Sequence, residues 1–256
     1  MASIKEQLQR LFAISKHTKS DLNLSSDQFP GVNKSEENKL EVRIGLDFGT
    51  AFTKVVLGIG NDFYAIPFKK FSIVDKFLLP SVLYLDENQN CHLGDRHINK
   101  TLSNLKDRII LSEFEDLGLD VEHLCSIIFY LSLVLQQTRY QFMHDHWDQY
   151  NDKYLVWNLN VGMPTENISD SEKKNLYLEL SRLAWLYSLN EGPLNFDLSK
   201  EAVDKETLEN ILEGRIDVYP ECGALLLSYE KSIEYREGHH ILIDIGAGTT
   251  DVSYLN

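Results

Sequence analysis

Apolar and polar residues alternate without a break from Glu41 to Asp47, with Val42, Ile44 and Leu46 on one side of the chain and Arg43, Gly45 and Asp47 on the other. A period of two marks a strand with one buried face, so a strand is predicted to begin at Glu41. Phe48-Gly49-Thr50-Ala51 then supplies a turn into a second strand, Phe52 to Ile59, and Asn61-Asp62 turns the chain into a third, Phe63 to Phe68. The three make a β-meander. The same reasoning predicts strands at Ser81 to Leu85, Tyr154 to Val161 and Arg215 to Tyr219, and a short one at Asn195 to Leu198. Turns are predicted at Asp86 to Asn90 and at Gly162-Met163-Pro164.

Helical spacing takes over elsewhere. Ile4, Leu8, Leu11 and Phe12 share one face of a short amphipathic helix, read as a tail that docks on its own domain. The polar run from Thr18 to Lys39, around Pro30-Gly31, reads as a linker. Helices follow at Ile98 to Ile109, at Asp120 to His146, and from an N-cap at Ser169 to Leu189, where Glu172 completes a capping box. Two more are predicted at Asp204 to Glu213 and Glu221 to Lys231. The last segment, His240 to Leu255, repeats the opening pattern: an apolar run ending in an Asp, a turn of Gly and Thr, and a second alternating run.

Composition narrows the class. With 256 residues, 43% of them apolar, the chain is long enough for one sizeable core or two lobes. A net charge of -14 argues against a sequence-independent grip on nucleic acid, which needs clustered cations. The longest apolar stretch, Leu124 to Leu135, is broken by two serines and falls short of the roughly 20 residues that span a bilayer. The first dozen residues lack the apolar core of a signal peptide, so no membrane is expected and the cytoplasm is the expected compartment. Cys91, Cys125 and Cys222 are widely spaced and form no metal or disulfide pattern. Trp147, Trp157 and Trp185 read as core residues, and His144 and His146, two apart on a helix, as residues facing away from each other.

The two hairpins carry the chemistry. Phosphates need backbone N–H groups that approach closely, which favours Gly, and hydroxyls that donate, which favours Thr. Gly49-Thr50-Ala51 and Gly246-Ala247-Gly248-Thr249-Thr250 supply both. Magnesium keeps most of its waters and is held by a few carboxylates, a role open to Asp47 and Asp244 at the ends of their strands. Lys54, on the strand leaving the first turn, is placed for a β- or γ-phosphate. Other phosphate motifs fit poorly: there is no GxxxxGK[ST], and Asp251 stands where a dinucleotide fingerprint has Gly or Ala.

These residues resemble the superfamily that includes actin, hexokinase and the seventy-kilodalton heat-shock chaperones. Arg43 to Leu57 is similar to its first phosphate motif, Ile241 to Leu255 to its second, and Tyr219 to Tyr229 to the helix that connects them. Pro80-Ser81-Val82 and Leu93-Gly94-Asp95 resemble the chaperone branch in particular. The resemblance implies an α/β fold with a ribonuclease-H-like mixed sheet flanked by helices. It implies a first lobe over residues 41–238 with a small inserted subdomain at about 69–118, preceded by the helix and linker of residues 1–40. Residues 239–256 would open a second lobe, so the chain would be a fragment that by itself binds ATP weakly or not at all. The expected ligands are ATP or ADP with magnesium, and the expected partner is a protein client.

Carried over by position, the resemblance makes Asp47 and Asp244 organisers of the magnesium waters, and Gly49, Thr50, Gly246, Gly248 and Thr249 phosphate ligands. Glu221 would orient the attacking water or the metal shell. Lys54 matches the actin-type motif. The chaperones instead use a lysine from the smaller subdomain, and Lys106 stands one residue from the matching position. Ala247 replaces a Gly, and Cys222-Gly223 replace the usual Pro-Thr. The leading expectation is an ATPase of chaperone type. The alternatives are an actin-like filament protein, a small-molecule kinase of hexokinase type and a catalytically silent scaffold.

Overall fold

The computed structural model describes residues 38–72, 74–94, 99–106, 121–164, 170–190, 192–196, 215–248 and 250–255. The expected N-terminal helix, almost all of the linker, the helix expected at Asp204 to Glu213, and residues Ser169 and Thr249 lie outside the described residues. What is described is a mixed α/β structure.

The chain begins with β1 (Lys39–Phe48), β2 (Phe52–Ile59), β3 (Asp62–Ala65) and the two residues of β4 (Leu79–Pro80). It continues through β5 (Leu83–Leu85), β6 (Cys91–His92) and β7 (Lys100–Leu102) to a long helix, α1 (Val121–Tyr150). Then come β8 (Tyr154–Met163), α2 (Ser171–Tyr187), β9 (Ile216–Pro220), α3 (Glu221–Glu230), β10 (His240–Ile245) and β11 (Thr250–Leu255). Three sheets result. The central one has the order β3-β2-β1-β8-β9, with β4 also paired to β2; β6-β5-β7 and β10-β11 are separate. β1, β2 and β3 are antiparallel, whereas β1, β8 and β9 run parallel.

The alternation read from the sequence sets which face is buried. Val42, Ile44, Leu46 and Phe48 of β1 and Leu155, Trp157, Leu159, Val161 and Met163 of β8 point into the core. α1 lies on that face: Tyr130 packs on Phe48 with ring centroids 5.8 Å apart, and Phe142 on Trp157 at 6.2 Å. α2 packs against α1, and the small β6-β5-β7 sheet contacts it as well, which is why Leu124 to Leu131 are all buried. Burying each large apolar side chain is worth about 1.5–3 kcal/mol, so this layer holds most of the stability. Trp157 and Trp185 belong to it, but Trp147 is 40% exposed.

Several element ends differ from expectation, each for a reason outside the local sequence. β1 starts two residues earlier, at Lys39, because Tyr154 of β8 pairs with it. β3 ends at Ala65 because the Phe68 amide bonds to the Lys76 carbonyl instead. β8 includes Gly162 and Met163, expected in a turn, because β9 pairs with both. The helix expected over 98–109 is absent among its described residues: Lys100–Leu102 pair with Leu83–Leu85 as β7. A strand partner has overridden helical spacing there. α2 is capped by Asp170, not Ser169; its carboxylate accepts from the Glu172 and Lys173 amides. At Asn195 only an isolated bridge to Asn90 forms. His144 is exposed, while His146 packs on Tyr64, Phe142 and Tyr150.

Candidate functional site at the carboxyl ends of the parallel strands

β1, β8 and β9 point the same way, so their carboxyl ends lie together. There the chain places the Phe48–Phe52 turn, Pro164 and the start of α3. Ligands of open α/β sheets sit outside this edge, where side chains and helix N-termini converge.

The face of the central sheet opposite the core carries a row of outward residues. Lys54 is the register partner of Asp47, and Gly162 that of Tyr219. The last paired residues of β1 and β8 are Leu46 and Val161, so Asp47 and Gly162 come next, side by side. The row across four strands is therefore Lys54, Asp47, Gly162, Tyr219. Lys54 Nζ donates to Asp47 Oδ2 at 3.0 Å, and both side chains are about half exposed. Gly162 leaves a gap in the row. A Cβ there would stand 3.1 Å from Glu221 Cγ and 3.7 Å from the Leu46 carbonyl oxygen, so the Glu221 side chain lies across the glycine beside the end of β1.

Glu221 is the first residue of α3, where a carboxylate is favoured by the helix dipole, and Pro220 before it offers no side-chain cap. Its Oε1 accepts from Lys106 Nζ at 2.5 Å. The pair is nearly dry: the side chains are 5% and 17% exposed for Lys106 and Glu221. Lys106 is held from its own side as well. Asn104 adopts a left-handed backbone, φ 55°, which Asn tolerates. It turns fully buried Leu105 into the core, and the His123 Nε2–H on α1 donates to the Leu105 carbonyl at 2.9 Å.

The Phe48–Phe52 turn is tight. The Gly49 amide donates to the Phe52 carbonyl at 3.1 Å, and a Cβ on Gly49 would lie only 2.5 Å from that oxygen. Gly is therefore required by close approach. Thr50 and Ala51 follow it at the rim, neither buried nor fully exposed.

The second hairpin belongs to another sheet. Asp244 lies on β10 opposite Asp251, and Gly246, Ala247 and Gly248 form an exposed turn that ends at Thr250. Thr249 lies outside the described residues. Among the described residues, β10 and β11 pair only with each other as a sheet. Their link to the rest includes His240, whose ring packs on Tyr229 of α3 and on Tyr235. Thus Asp47, Gly49, Thr50, Ala51, Lys54 and Glu221 gather at one edge, joined by Lys106. Asp244 and the Gly246–Thr250 turn stand on another sheet.

Lys106 was marked in the sequence only by its near-match to a family position; its buried partner is what singles it out. Among the described residues no group of three or more His, Cys, Asp or Glu is gathered, and no helix is long and apolar enough to cross a membrane. Comparison with known proteins finds no matching family model and no significantly similar curated protein.

Proposed function

We propose that this chain binds ATP with magnesium, weakly when isolated, at the carboxyl ends of β1, β8 and β9, as the first lobe of a chaperone-type ATPase with a ribonuclease-H-like sheet. One observation carries the reading: a buried Lys106–Glu221 pair beside side-chain-free Gly162, at the sheet edge that also holds the Gly49 turn. Lys54 and Lys106, each paired with a carboxylate, stand where the backbone is opened by two glycines. That fits a phosphate ligand.

In this reading Gly49, Thr50 and Ala51 present the turn backbone to the phosphates, and Lys54 and Lys106 offset their charge. Magnesium, when bound through waters held by Asp47 and Asp244, supplies neutralisation of the phosphate oxygens. Glu221, whose side chain lies across Gly162, orients a water for attack on the terminal phosphate. The Gly246–Thr250 turn, with Ala247, Gly248 and Thr249, closes as a second jaw when the hairpin moves against the first lobe, and that motion passes to a protein partner. Cys91, Cys125 and Cys222 are buried as thiols rather than disulfides, in keeping with the cytoplasmic compartment proposed here. A second reading, an actin-like filament ATPase, is favoured by the placement of Lys54 on Asp47.

The test is a titration of isotope-labelled chain with magnesium-ATP up to millimolar concentration, followed by backbone amide shifts. Shifts should centre on Gly49 to Ala51, Gly162 and Glu221 and shrink in Asp47→Ala. No shift at these amides at millimolar nucleotide sinks the proposal. ATP-dependent pelleting selects the filament reading over the chaperone one.

A further inference from the structure

Four residues from three separate stretches of chain meet behind the Gly49 turn. Ser81 Oγ donates to the Gly49 carbonyl at 2.7 Å. Thr53 Oγ1 and Ser81 Oγ are 3.1 Å apart. Tyr130 of α1 reaches Thr53 Oγ1 at 2.9 Å and the Pro80 carbonyl at 3.0 Å. Thr53 and Tyr130 are fully buried and Ser81 is 1% exposed.

Proton counting orders the chain. A carbonyl only accepts, so the single Ser81 hydroxyl proton is spent on Gly49. Ser81 must then accept from Thr53, which spends the Thr53 proton, and Thr53 must accept from Tyr130. Tyr130 is the terminal donor and shares its proton with Pro80. Burial, the largest effect, pushes the Tyr130 phenol well above its ordinary range, so the donor keeps its proton. Ser81 and Thr53 each donate once and accept once, the arrangement in which hydrogen bonds polarise one another.

The end point matters. The Gly49 carbonyl belongs to the planar Gly49–Thr50 peptide, so holding its oxygen fixes the plane and points the Thr50 N–H away from Ser81. The Ser81 amide, donating to the Ala51 carbonyl at 2.9 Å, grips the turn a second time. Resting on the phosphate reading of this turn, we infer that Tyr130, Thr53 and Ser81 form a positioning relay that runs from α1 to the Gly49–Thr50 peptide and presets the turn for a phosphate. Tyr130 and Ser81 touch no ligand in this scheme; they act through Gly49.

The test compares Ser81→Ala, Ser81→Thr and Tyr130→Phe with Tyr150→Phe, which deletes a hydroxyl bonded to Tyr64 on the far end of α1. Hydrogen exchange of the Gly49 amide should quicken about tenfold in Ser81→Ala, which breaks the grip directly, and by less in Tyr130→Phe, which leaves the lower relay in place. Ser81→Thr should restore wild-type exchange, and Tyr150→Phe should leave it unchanged even where its melting temperature falls as far. Affinity for magnesium-ATP should drop in the same order. Gly49 exchange within twofold of wild type in Ser81→Ala, or equal quickening in Tyr150→Phe, overturns the relay. If the wild-type chain shows no ATP-dependent shifts while Ser81→Ala still loosens Gly49, the relay stands and the nucleotide reading falls. If ATP binds wild type and Ser81→Ala alike, the relay has no part in phosphate binding and the inference fails.

Discussion

Lys106 Nζ lies 2.5 Å from Glu221 Oε1, joining residues 115 apart in sequence across an almost dry contact. The two ends of this bridge are unequal. Lys106 is the more deeply buried and is anchored through Leu105, while Glu221 starts a helix near the sheet edge. Glu221→Gln therefore leaves a buried ammonium without its countercharge, and Lys106→Met leaves a carboxylate that can turn toward water. Loss of either partner should cost about 3 kcal/mol, more for Glu221→Gln, whereas replacing both with apolar residues should cost less than the sum. Urea denaturation checks this. Single variants within about 0.5 kcal/mol of wild type would mean that the pair contributes no stability.

Gly162→Ala tests the same bridge from below. Its Cβ would meet Glu221 Cγ at 3.1 Å, so the side chain must give by a few tenths of an ångström, which strains its contact with Lys106. A loss of about 1–2 kcal/mol is expected in wild type and a smaller one in the Lys106→Met background, where the Lys106 contact is already gone. Equal losses in both backgrounds would show that the glycine matters for some reason other than the Glu221 position.

Lys54→Ala separates stability from ligand binding. The Lys54–Asp47 pair is half exposed, so its loss should change stability by less than about 1 kcal/mol. Under the proposed function the same change removes a charge facing the phosphates. The amide shifts caused by magnesium-ATP at Gly49 to Ala51 should shrink several-fold while the melting temperature barely moves. Unaltered shifts would remove Lys54 from the site.

Asp86 predicts an acid-sensitive contribution at the small sheet. The Asn90 side chain is the largest cause holding its carboxyl down to about 2 from an ordinary 3.8, and the Asn90 amide, His92 and the Asn88 amide act the same way, partly opposed by burial. The folded chain binds this proton more weakly than the unfolded chain does. Its stabilisation is therefore fully present above the unfolded value and fades as pH falls from about 4 toward about 2. In Asp86→Asn the melting temperature should fall less steeply over that interval than in wild type. A wild-type slope unchanged by the substitution would count against this assignment.

Much of the scaffold was legible because it depends on local periodicity. Val42, Ile44 and Leu46 announce the buried face of β1, Phe52–Ile59 has the predicted bounds of β2, and Gly49 marks a turn that admits no side chain. Asp47 and Lys54 are also foreseeable neighbours, since a tight hairpin fixes their register. Lys100–Leu102 could not be read this way. The segment is a strand only because β5 lies beside it, and a hydrogen-bonding partner is not encoded in the spacing of three residues. The N-cap was missed by one residue for a smaller reason, since Ser169 and Asp170 both suit the role and only backbone geometry selects between them.

The sequence by itself determined which faces of β1, β2 and β8 turn inward, and that Gly, Thr and Asp recur at the tips of two hairpins, because alternation and turn chemistry act over a few residues. Only the tertiary structure decided that Lys106 meets Glu221, that Gly162 makes room beside them, that Tyr130 reaches the back of the Gly49 turn, and that Asp244 stands on a separate sheet. Each of these depends on where distant segments cross, and that is set by how α1 and the parallel strands pack rather than by any local pattern.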